Sequence, residues 1–499
     1  MTLEMNSASY RSPFLQGNFA PIREETTETD LEVIGEIPEY LAGRYVRGGN
    51  SPLEELITEE YEWFAANGMA FGVRLRDGRA EWYRNRWIRT TDVCNTLGLS
   101  QPPGPCHAGM DYTLHTNVIQ QAGRTFMITE GGPNPYELNY ELESLGFVNF
   151  PGSPYGGGYA SHPHKDPETN EWHAIQYYLG GGQRASYTIL DENVRIRRSV
   201  EFELNGCPIL HDFALTENYI VVYDLPLQSS VESSVGSLPA PIRKPLTKVL
   251  KRLHAKGLPE SVLAGYIRTL PPQSARRLPL QWDPDYSARI GVMRRDGDAS
   301  SMRWFDVERQ HVWHTLNAFE ADSKIYVDFV SFPRAFDIDH SWPNPAEGQP
   351  VLSRVTLDLD RGRASNSHLD ELPQEFPRIN DMFFGKEYRY GYTVGALEVD
   401  PRNRSGIMSS ADHVFKHNMS TGEVVRSHLG DGAAASEFTF VADPDGAHED
   451  SGVLMGYVYR ADEDRSDYVI LDAETLQEVA VIKLPVRVTF GYHGNWLPD

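Results

Sequence analysis

Four of the sixteen histidines in this sequence stand where a metal ligand could be held firmly. Each lies at or next to a segment that reads as a β-strand, close to residues that favour turns. The four are His162 in SHPHKDP, His211 in ILHDFAL, His314 in HVWHTLNAFE and His493 in FGYHGNW. Neutral imidazole binds iron, copper and zinc, and four such ligands leave a divalent ion its full charge and two open coordination positions. These residues are therefore candidate metal ligands, although a lone histidine in a β protein is more often an ordinary core or surface residue.

The spacing of these histidines constrains the fold that must position them. Successive members are 49, 103 and 179 residues apart. Such irregular distances exclude a metal-binding motif confined to one loop or one helix. Blades arranged around a common axis could bring the four side chains together, and the spacing therefore fits a β-propeller better than a local motif.

Strand signals dominate the chain. Short segments rich in Val, Ile, Tyr and Phe recur at Tyr219–Leu225, Lys324–Phe332, Val453–Tyr459 and Tyr468–Leu471. Turn-forming dipeptides lie between such segments at Asp77-Gly78, Asp296-Gly297, Asp431-Gly432 and Asp445-Gly446. Many short strands with almost no alternation of strand and helix favour a propeller, a sandwich or a barrel. For 499 residues in one unit, a propeller with large insertions is the simplest interpretation.

Composition limits the classes of function. Apolar residues make up 40% of the chain and aromatic residues 11%, as expected of a globular protein rich in strands. The net charge of −24 disfavours nucleic-acid binding, which needs a basic surface. Three cysteines without a CxxC pair do not form a disulfide framework. The N-terminal residues show no secretory signal and no segment reaches 18 apolar residues, so we expect a cytoplasmic protein without a transmembrane helix.

One segment, residues 226–280, departs from this pattern. Between Arg243 and Arg277 it carries nine Lys or Arg residues and one acidic residue. A single helical face is formed by Leu246, Val249, Leu250 and Leu253. A basic amphipathic helix in an acidic protein suggests peripheral contact with an anionic membrane surface. The alternative is a solvated insertion helix packed on the body of the protein.

Ordered motifs along nearly the whole chain resemble the carotenoid cleavage oxygenases. Besides the four histidine segments, they include GNFAPIREE, IPEYLAGRYVRGGNSP, ANGMAFGVRL, YRNRWIRT, RIGVMRRDG, EFPRIN, SEFTFV and LPVRVTFGYHGNW. The resemblance implies an all-β, seven-bladed propeller over residues 1–499, with helical and loop insertions capping the metal face. It also implies one Fe²⁺ per chain, dioxygen as co-substrate and a carotenoid or apocarotenoid cut at a carbon–carbon double bond. Two motifs depart from the family pattern, at Arg47–Pro52 and Asn67–Phe71, which leaves the shape of the substrate tunnel open.

The resemblance also implies a set of residues around the iron. His162, His211, His314 and His493 would be the ligands, and the partners of the last three would be Glu130, Glu375 and Glu437 in that order. For each Glu the alternative is an exposed charge. Thr116 would lie near the iron and crowd one coordination position, unless it is an ordinary strand residue. His164, two residues after His162, fills a variable position of the motif and is not expected to be a ligand.

The substrate class rests on what the sequence lacks. Family members that cleave phenolic alkenes place a Lys before the first of these glutamates, with a Tyr upstream. Here that position is Thr129, no Lys precedes Lys165, and no Tyr lies between Tyr83 and Tyr112. A hydrophobic polyene is therefore expected, held in an aromatic-lined tunnel. A stilbene or phenylpropene remains the alternative substrate, and a catalytically silent, polyene-binding propeller the alternative function.

Overall fold

Seven antiparallel sheets form a β-propeller in the computed structural model. The structure describes residues 12–53, 61, 63–112, 114–230, 240–268, 280–335, 348–396 and 411–499. We number the sheets as blades 1 to 7, in the order in which their inner strands occur in the chain. This confirms the expected all-β, seven-bladed architecture.

Blades 1 to 5 each have four strands that follow one another in the chain. Blade 1 has β6 (Asn117–Gln121), β7 (Arg124–Ile128), β8 (Tyr136–Leu138) and β9 (Ser144–Phe147); blade 2 has β10 (His164–Lys165), β11 (Trp172–Gln176), β12 (Arg184–Leu190) and β13 (Ile196–Glu203); blade 3 has β14 (Ala214–Leu215), β15 (Tyr219–Asp224), β18 (Arg289–Arg294) and β19 (Arg303–Asp306); blade 4 has β20 (His311–Ala321), β21 (Lys324–Phe332), β22 (Val351–Asp358) and β23 (Arg363–His368); blade 5 has β24 (Gln374–Arg378), β25 (Tyr390–Gly395), β26 (His413–Asn418) and β27 (Glu423–His428).

Blades 6 and 7 combine strands from the two ends of the sequence. Blade 6 has β28 (Ala433–Ala435), β29 (Thr439–Ala442), β30 (Gly452–Arg460), β31 (Arg465–Asp472), β32 (Glu478–Lys483) and β2 (Glu32–Gly35); blade 7 has β33 (Gly494–Pro498), β3 (Gly43–Ser51), β4 (Asn67–Arg76), β5 (Arg79–Trp87) and β1 (Thr27–Glu28). β33 pairs with β3 from Gly43–Pro498 to Arg47–Gly494, and so closes the ring. His493 immediately precedes this closing strand.

Helical structure is confined to a few segments of the described chain. The α-helices are α1 (Thr91–Leu97), α2 (Ala240–Lys256) and α3 (Glu260–Ile267), and the 3-10 turns are Pro13–Leu15, Gly17–Phe19, Trp63–Ala65, His107–Gly109, Tyr155–Gly157, Ala299–Ser301 and Asp381–Phe383. None of the helices described here has the length and apolar character needed to cross a membrane.

Burial follows position within a blade. β3 is buried along its whole length, because neighbouring blades cover both of its faces. The outer strands β23 and β27 are mostly exposed and carry polar residues. Between β4 and β5, Asp77 and Gly78 both have positive φ, as the tight hairpin turn predicted from this dipeptide requires.

A close backbone approach joins blade 7 to the segment that enters blade 1. A Cβ atom on Gly48 would lie 2.0 Å from the carbonyl oxygen of His115. On the next strand, a Cβ on Gly68 would lie 2.3 Å from the carbonyl oxygen of Leu114. Only glycine allows this approach, and it holds the chain around Thr116 against blade 7, whose inner strand follows His493.

The predicted basic segment lies between the second and third strands of blade 3. It contains the two-stranded sheet β16 (Leu227–Ser229) and β17 (Leu280–Trp282), with α2 and α3 between them. Residues 231–239 and 269–279, including Arg276 and Arg277, lie outside the described residues. On α2 the predicted apolar face is open, since Val249 is 52% exposed and Leu253 47% exposed, while Leu246 and Leu250 are half-buried.

Candidate metal centre

The structure brings the four predicted histidines together on the propeller axis. One ring nitrogen from each of His162, His211, His314 and His493 lies within 4.8 Å of those of the other three. They stand before β10, before β14, on β20 and before β33 respectively. Blades 2, 3, 4 and 7 thus each provide one side chain at or just before their inner strand, which explains the irregular spacing along the sequence.

Each of the three predicted glutamates accepts a hydrogen bond from its predicted histidine. The Nδ1–H of His211 donates to Glu130 over 2.7 Å, and that of His314 to Glu375 over 2.6 Å. His493 donates from Nδ1 to Glu437 over 3.0 Å. Within the described residues, no hydrogen bond joins His162 to a carboxylate. Protonation of Nδ1 leaves each Nε2 with a free lone pair, which is the form that binds a metal.

The arrangement of these Nε2 atoms fits a bound cation. The Nε2 of His314 is buried and has no hydrogen-bond partner among the described residues. The Nε2 atoms of His162 and His211 face each other at 3.1 Å. The buried lone pair of His314 lacks solvation, and a divalent ion held between the four rings would supply the missing partner.

The ionisation states of Glu130, Glu437 and His493 suit metal binding, whereas for His314 burial would lower the pKa but Glu375 outweighs it and raises the pKa. Burial would raise the pKa of Glu130, but the interaction with His211 and the hydrogen bonds to this carboxylate together outweigh it and lower this pKa to about 2. Burial would also raise the pKa of Glu437, and Arg378 and His493 lower it instead. Burial lowers the pKa of His493 to about 4. At neutral pH both carboxylates are therefore charged and His493 is neutral.

An arginine that sequence reasoning missed, with 20% of its side chain exposed, fixes the third glutamate. Arg378 donates from Nε and Nη2 to the two carboxylate oxygens of Glu437, each over 2.9 Å. It also donates to the carbonyl oxygen of Gly494 over 2.9 Å. Arg378 thereby connects blade 5, blade 6 and the closing strand. It belongs to the same EFPRIN motif as Glu375, which was the available signal.

An apolar cavity of about 190 Å³ adjoins the histidines. We call it the aromatic cavity because its walls include Trp63, Phe64, Trp313, Phe332, Phe376 and Tyr492. His211, His314 and His493 form part of its surface. A hydrophobic ligand in the aromatic cavity would lie directly beside a metal bound by the histidines.

Thr116 lines the aromatic cavity together with three of the four histidines. Its carbonyl oxygen accepts a hydrogen bond from the backbone N–H of His493 over 3.0 Å. Its hydroxyl lies 2.8 Å from that of Thr129 and 3.4 Å from Nδ1 of His115. His115, a neighbour that sequence reasoning did not single out, stacks on Tyr492 in the same wall.

Other histidines in the described residues are engaged elsewhere. Nε2 of His164 contacts Asp212 over 2.7 Å and the carbonyl oxygen of Phe213 over 2.9 Å, so this ring lies outside the four-histidine group. Burial and the nearby Arg295 lower the pKa of His173 to about 3, and burial lowers that of His417 to about 4. These two rings stay neutral in the fold at pH values where unfolded histidine is charged.

Buried His417 makes stability depend on pH. Its pKa is lower in the folded protein than in the unfolded chain, where it is about 6.5, so unfolding takes up a proton below that pH. Above about pH 6.5 the ring is neutral in both states and does not make stability depend on pH. As the pH falls from about 6.5 toward 4, the free energy of unfolding decreases. We expect His417→Gln to reduce the loss of stability over this range by about 1.4 kcal/mol per pH unit.

Differential scanning calorimetry at a series of pH values measures this effect. His448→Gln, at an exposed position in the turn before β30, is the matched control and should keep the wild-type slope. A wild-type slope in His417→Gln would contradict the prediction.

Comparison with known proteins defines the family. Residues 19–498 match the family model described as retinal pigment epithelial membrane protein (RPE65). The chain belongs to this RPE65/carotenoid oxygenase family. A protein of Mycobacterium tuberculosis named carotenoid cleavage oxygenase is 38% identical, with 99% of each chain covered. An isoeugenol monooxygenase of Pseudomonas nitroreducens is 28% identical over 97% of this chain and 98% of its own.

Solved structures of the RPE65/carotenoid oxygenase family share the fold. The lignostilbene dioxygenase of Pseudomonas brassicacearum is 25% identical and superimposes with a TM-score of 0.79, covering 98% of this chain and 99% of its own. A variant of Synechocystis apocarotenoid oxygenase is 21% identical with a TM-score of 0.76, over 98% of this chain and 100% of its own. The resemblance found in the sequence motifs is thus confirmed.

Proposed function

We propose that this protein is a non-haem iron(II) dioxygenase that cleaves a carbon–carbon double bond of a carotenoid or apocarotenoid, giving two carbonyl products. The observation that carries the proposal is a four-histidine centre in the wall of the aromatic cavity. Membership of a family with members named dioxygenases supports the oxygenase class. We further propose that His162, His211, His314 and His493 hold the Fe²⁺ and that Glu130, Glu375 and Glu437 orient the last three.

Some residues of this chain bind the substrate, and others position the metal ligands. A ferrous ion held by the four histidines would supply the binding and activation of dioxygen. The aromatic cavity binds the polyene by burying its apolar surface and excludes water from the double bond beside the ion. The glutamates keep a proton on each Nδ1, so that each Nε2 points its lone pair at the ion. Thr116, anchored to His493, limits the space on the cavity side of the centre.

The cavity lining favours a polyene over a phenolic alkene. Thr129, at the position where family members that cleave phenols have a Lys, lines the cavity and is hydrogen-bonded to Thr116. A hydroxyl in this place cannot stabilise a phenolate as an ammonium group does. The identity of 38% with a protein named carotenoid cleavage oxygenase, against 28% with an isoeugenol monooxygenase, points the same way.

A comparison of two substrates, incubated separately, tests the function. Protein loaded anaerobically with Fe²⁺ is exposed to air with β-apo-8′-carotenal or with resveratrol, and the products are identified by mass spectrometry. We expect aldehyde or ketone fragments from the apocarotenal, and none from protein treated with a chelator. Cleavage of resveratrol alone would overturn the substrate class and leave the metal centre standing. Cleavage of neither, with iron bound, would favour a silent polyene-binding protein.

We also propose that the segment 226–280 brings the protein to anionic membrane surfaces near the entrance of the cavity. Leu280 lines the aromatic cavity, and Leu263 of α3 packs with Met110 close to its wall. On α2, exposed Val249 and Leu253 stand beside the exposed cations Lys248, Lys251 and Arg252. Apolar side chains flanked by cations suit a surface of anionic lipid.

Vesicle sedimentation tests this contact. We expect binding to vesicles that contain phosphatidylserine, and a loss of at least about tenfold in the doubly substituted Val249→Glu, Leu253→Glu protein. Val425→Glu, on the outer strand β27, is the matched control, since Val425 is 40% exposed. Equal binding of all three proteins would contradict a role for α2.

A further inference from the structure

A second cavity reaches the metal centre from the other side. It has a volume of about 350 Å³, and His162, His314 and His493 form part of its wall. We call it the axial chamber; its lining includes Asn117, Lys165, Asn380, Asp381, Thr439 and Asn495. The four histidines therefore separate two cavities, one apolar and one polar.

The inner strands show that the two cavities lie on opposite sides of the histidines. In six of the seven blades, the chain passes from the wall of the aromatic cavity to the wall of the axial chamber within one to three residues. The pairs are Thr116 and Asn117, His211 and Asp212, Trp313 and Thr315, Phe376 and Pro377, Ala435 and Glu437, and Tyr492 and Asn495. All six inner segments run in the same direction along the axis, so the chamber is the central channel of the propeller beyond the metal centre.

The axial chamber opens to solvent at the turn after β24. Asp381 is exposed and Met382 is 59% exposed, and both line the chamber. Within the described residues, the carboxylate of Asp381 has no hydrogen bond or ion pair. The other acidic groups of the lining are paired, Asp212 with His164 and Glu437 with Arg378.

The two cavities differ in how well they accommodate a hydrated divalent cation. A hydrated divalent cation loses several kcal/mol of solvation in the aromatic cavity, because its walls are mainly apolar and its glutamates Glu130 and Glu375 are already bonded to His211 and His314. In the axial chamber, the amide oxygen of Asn380 accepts one hydrogen bond and the hydroxyl of Thr439 acts as a donor, so both oxygens keep lone pairs that can replace water around a hard cation. Asp381 adds a negative charge at the opening, where it attracts cations.

We propose that the axial chamber is the route by which the hydrated metal ion reaches the four histidines, so that metal exchange does not depend on what occupies the aromatic cavity. This inference rests on the proposed metal centre. It separates loading of the cofactor from binding of the substrate. A protein with polyene already bound would still acquire or lose its metal.

Uptake of Co²⁺ by the metal-free protein tests the route, with the rate followed by stopped-flow absorption and the final occupancy by elemental analysis. We expect Asp381→Lys to slow uptake about tenfold through the reversed charge at the opening. Met382→Trp should also slow it by narrowing the chamber, and Lys165→Gln should accelerate it by removing a positive charge from the wall. All three should reach the wild-type occupancy of one ion per chain. Asp360→Lys, an exposed position in the turn between β22 and β23, makes the same change in net charge and should keep the wild-type rate.

Filling the aromatic cavity tests whether the metal enters through that cavity instead. With β-apo-8′-carotenal bound under argon, the rate of Co²⁺ uptake should stay within about twofold of that of the free protein. A rate that falls with polyene bound, together with wild-type rates in Asp381→Lys and Met382→Trp, would overturn the route and leave the proposed function intact. Failure of the wild-type protein to bind Co²⁺ at equilibrium would overturn the metal centre and the route together.

Discussion

Replacing His493 with alanine is expected to abolish metal binding and all detectable cleavage, while the protein still folds. His493 is 3% exposed and provides one of the four converging ring nitrogens. Its removal leaves Glu437 paired with Arg378 through two hydrogen bonds, so no buried charge loses its last partner. The loss should therefore be confined to the centre, and elemental analysis of protein refilled with Fe²⁺ measures it.

His164→Ala is the matched control for this substitution. His164 lies two residues from a proposed ligand, but it binds Asp212 instead of joining the group. Asp212 keeps hydrogen bonds from the backbone N–H groups of Phe213 and Thr315, each over 2.7 Å, when His164 is removed. We expect one iron per chain in this variant. Full iron in His493→Ala, or loss of iron in His164→Ala alone, would contradict the ligand assignment.

Arg378→Met is expected to have the largest effect on stability. The carboxylate of Glu437 is almost completely buried, and the variant would remove its only fully charged partner in the described residues. Breaking a buried ion pair from one side costs about 3–5 kcal/mol. The pKa of Glu437 should also rise, because Arg378 is the main group that lowers it. Metal binding should then weaken as the pH falls toward 5, since a protonated Glu437 no longer orients His493.

Calorimetry of the single and double variants separates these effects. Adding Glu437→Gln to Arg378→Met removes the unpaired charge, and we expect it to restore more than half of the lost stability. The double variant should still bind metal about 10–100 times more weakly than the wild type, because His493 lacks its carboxylate. A cost below about 1 kcal/mol in Arg378→Met would show that the pair is not buried as described.

The sequence predicts the histidines of the centre better than the groups that support them. His162, His211, His314 and His493 could be identified because their motifs lie in order along the chain, although the spacing alone fixes no contact. The glutamates follow from the same motifs. Arg378 lies in the same EFPRIN motif as Glu375, but the motif alone gives it no role, because an arginine in a strand has many exposed alternatives.

In the fold and in the insertion, local features can likewise be predicted better than features that depend on distant contacts. The Asp77-Gly78 turn and the strand at Lys324–Phe332 are readable because they depend on local backbone preferences. Blade boundaries are not readable, because blades 6 and 7 recruit strands from the far end of the chain and blade 3 contains a long insertion. Periodicity locates α2, but the exposure of Val249 and Leu253 depends on what packs beside them, which no local pattern determines.

Closure of blade 7 by β33 has a consequence for biosynthesis. β33 follows every other strand in chain order, and His493 immediately precedes it. While the protein is being synthesised from its N-terminus, blades 1 to 5 can assemble with three of the histidines in place. The fourth arrives only with the strand that joins the two ends of the ring. A nascent chain therefore cannot bring the four histidines together before the ring is closed, and a metal held by all four would be acquired late in maturation.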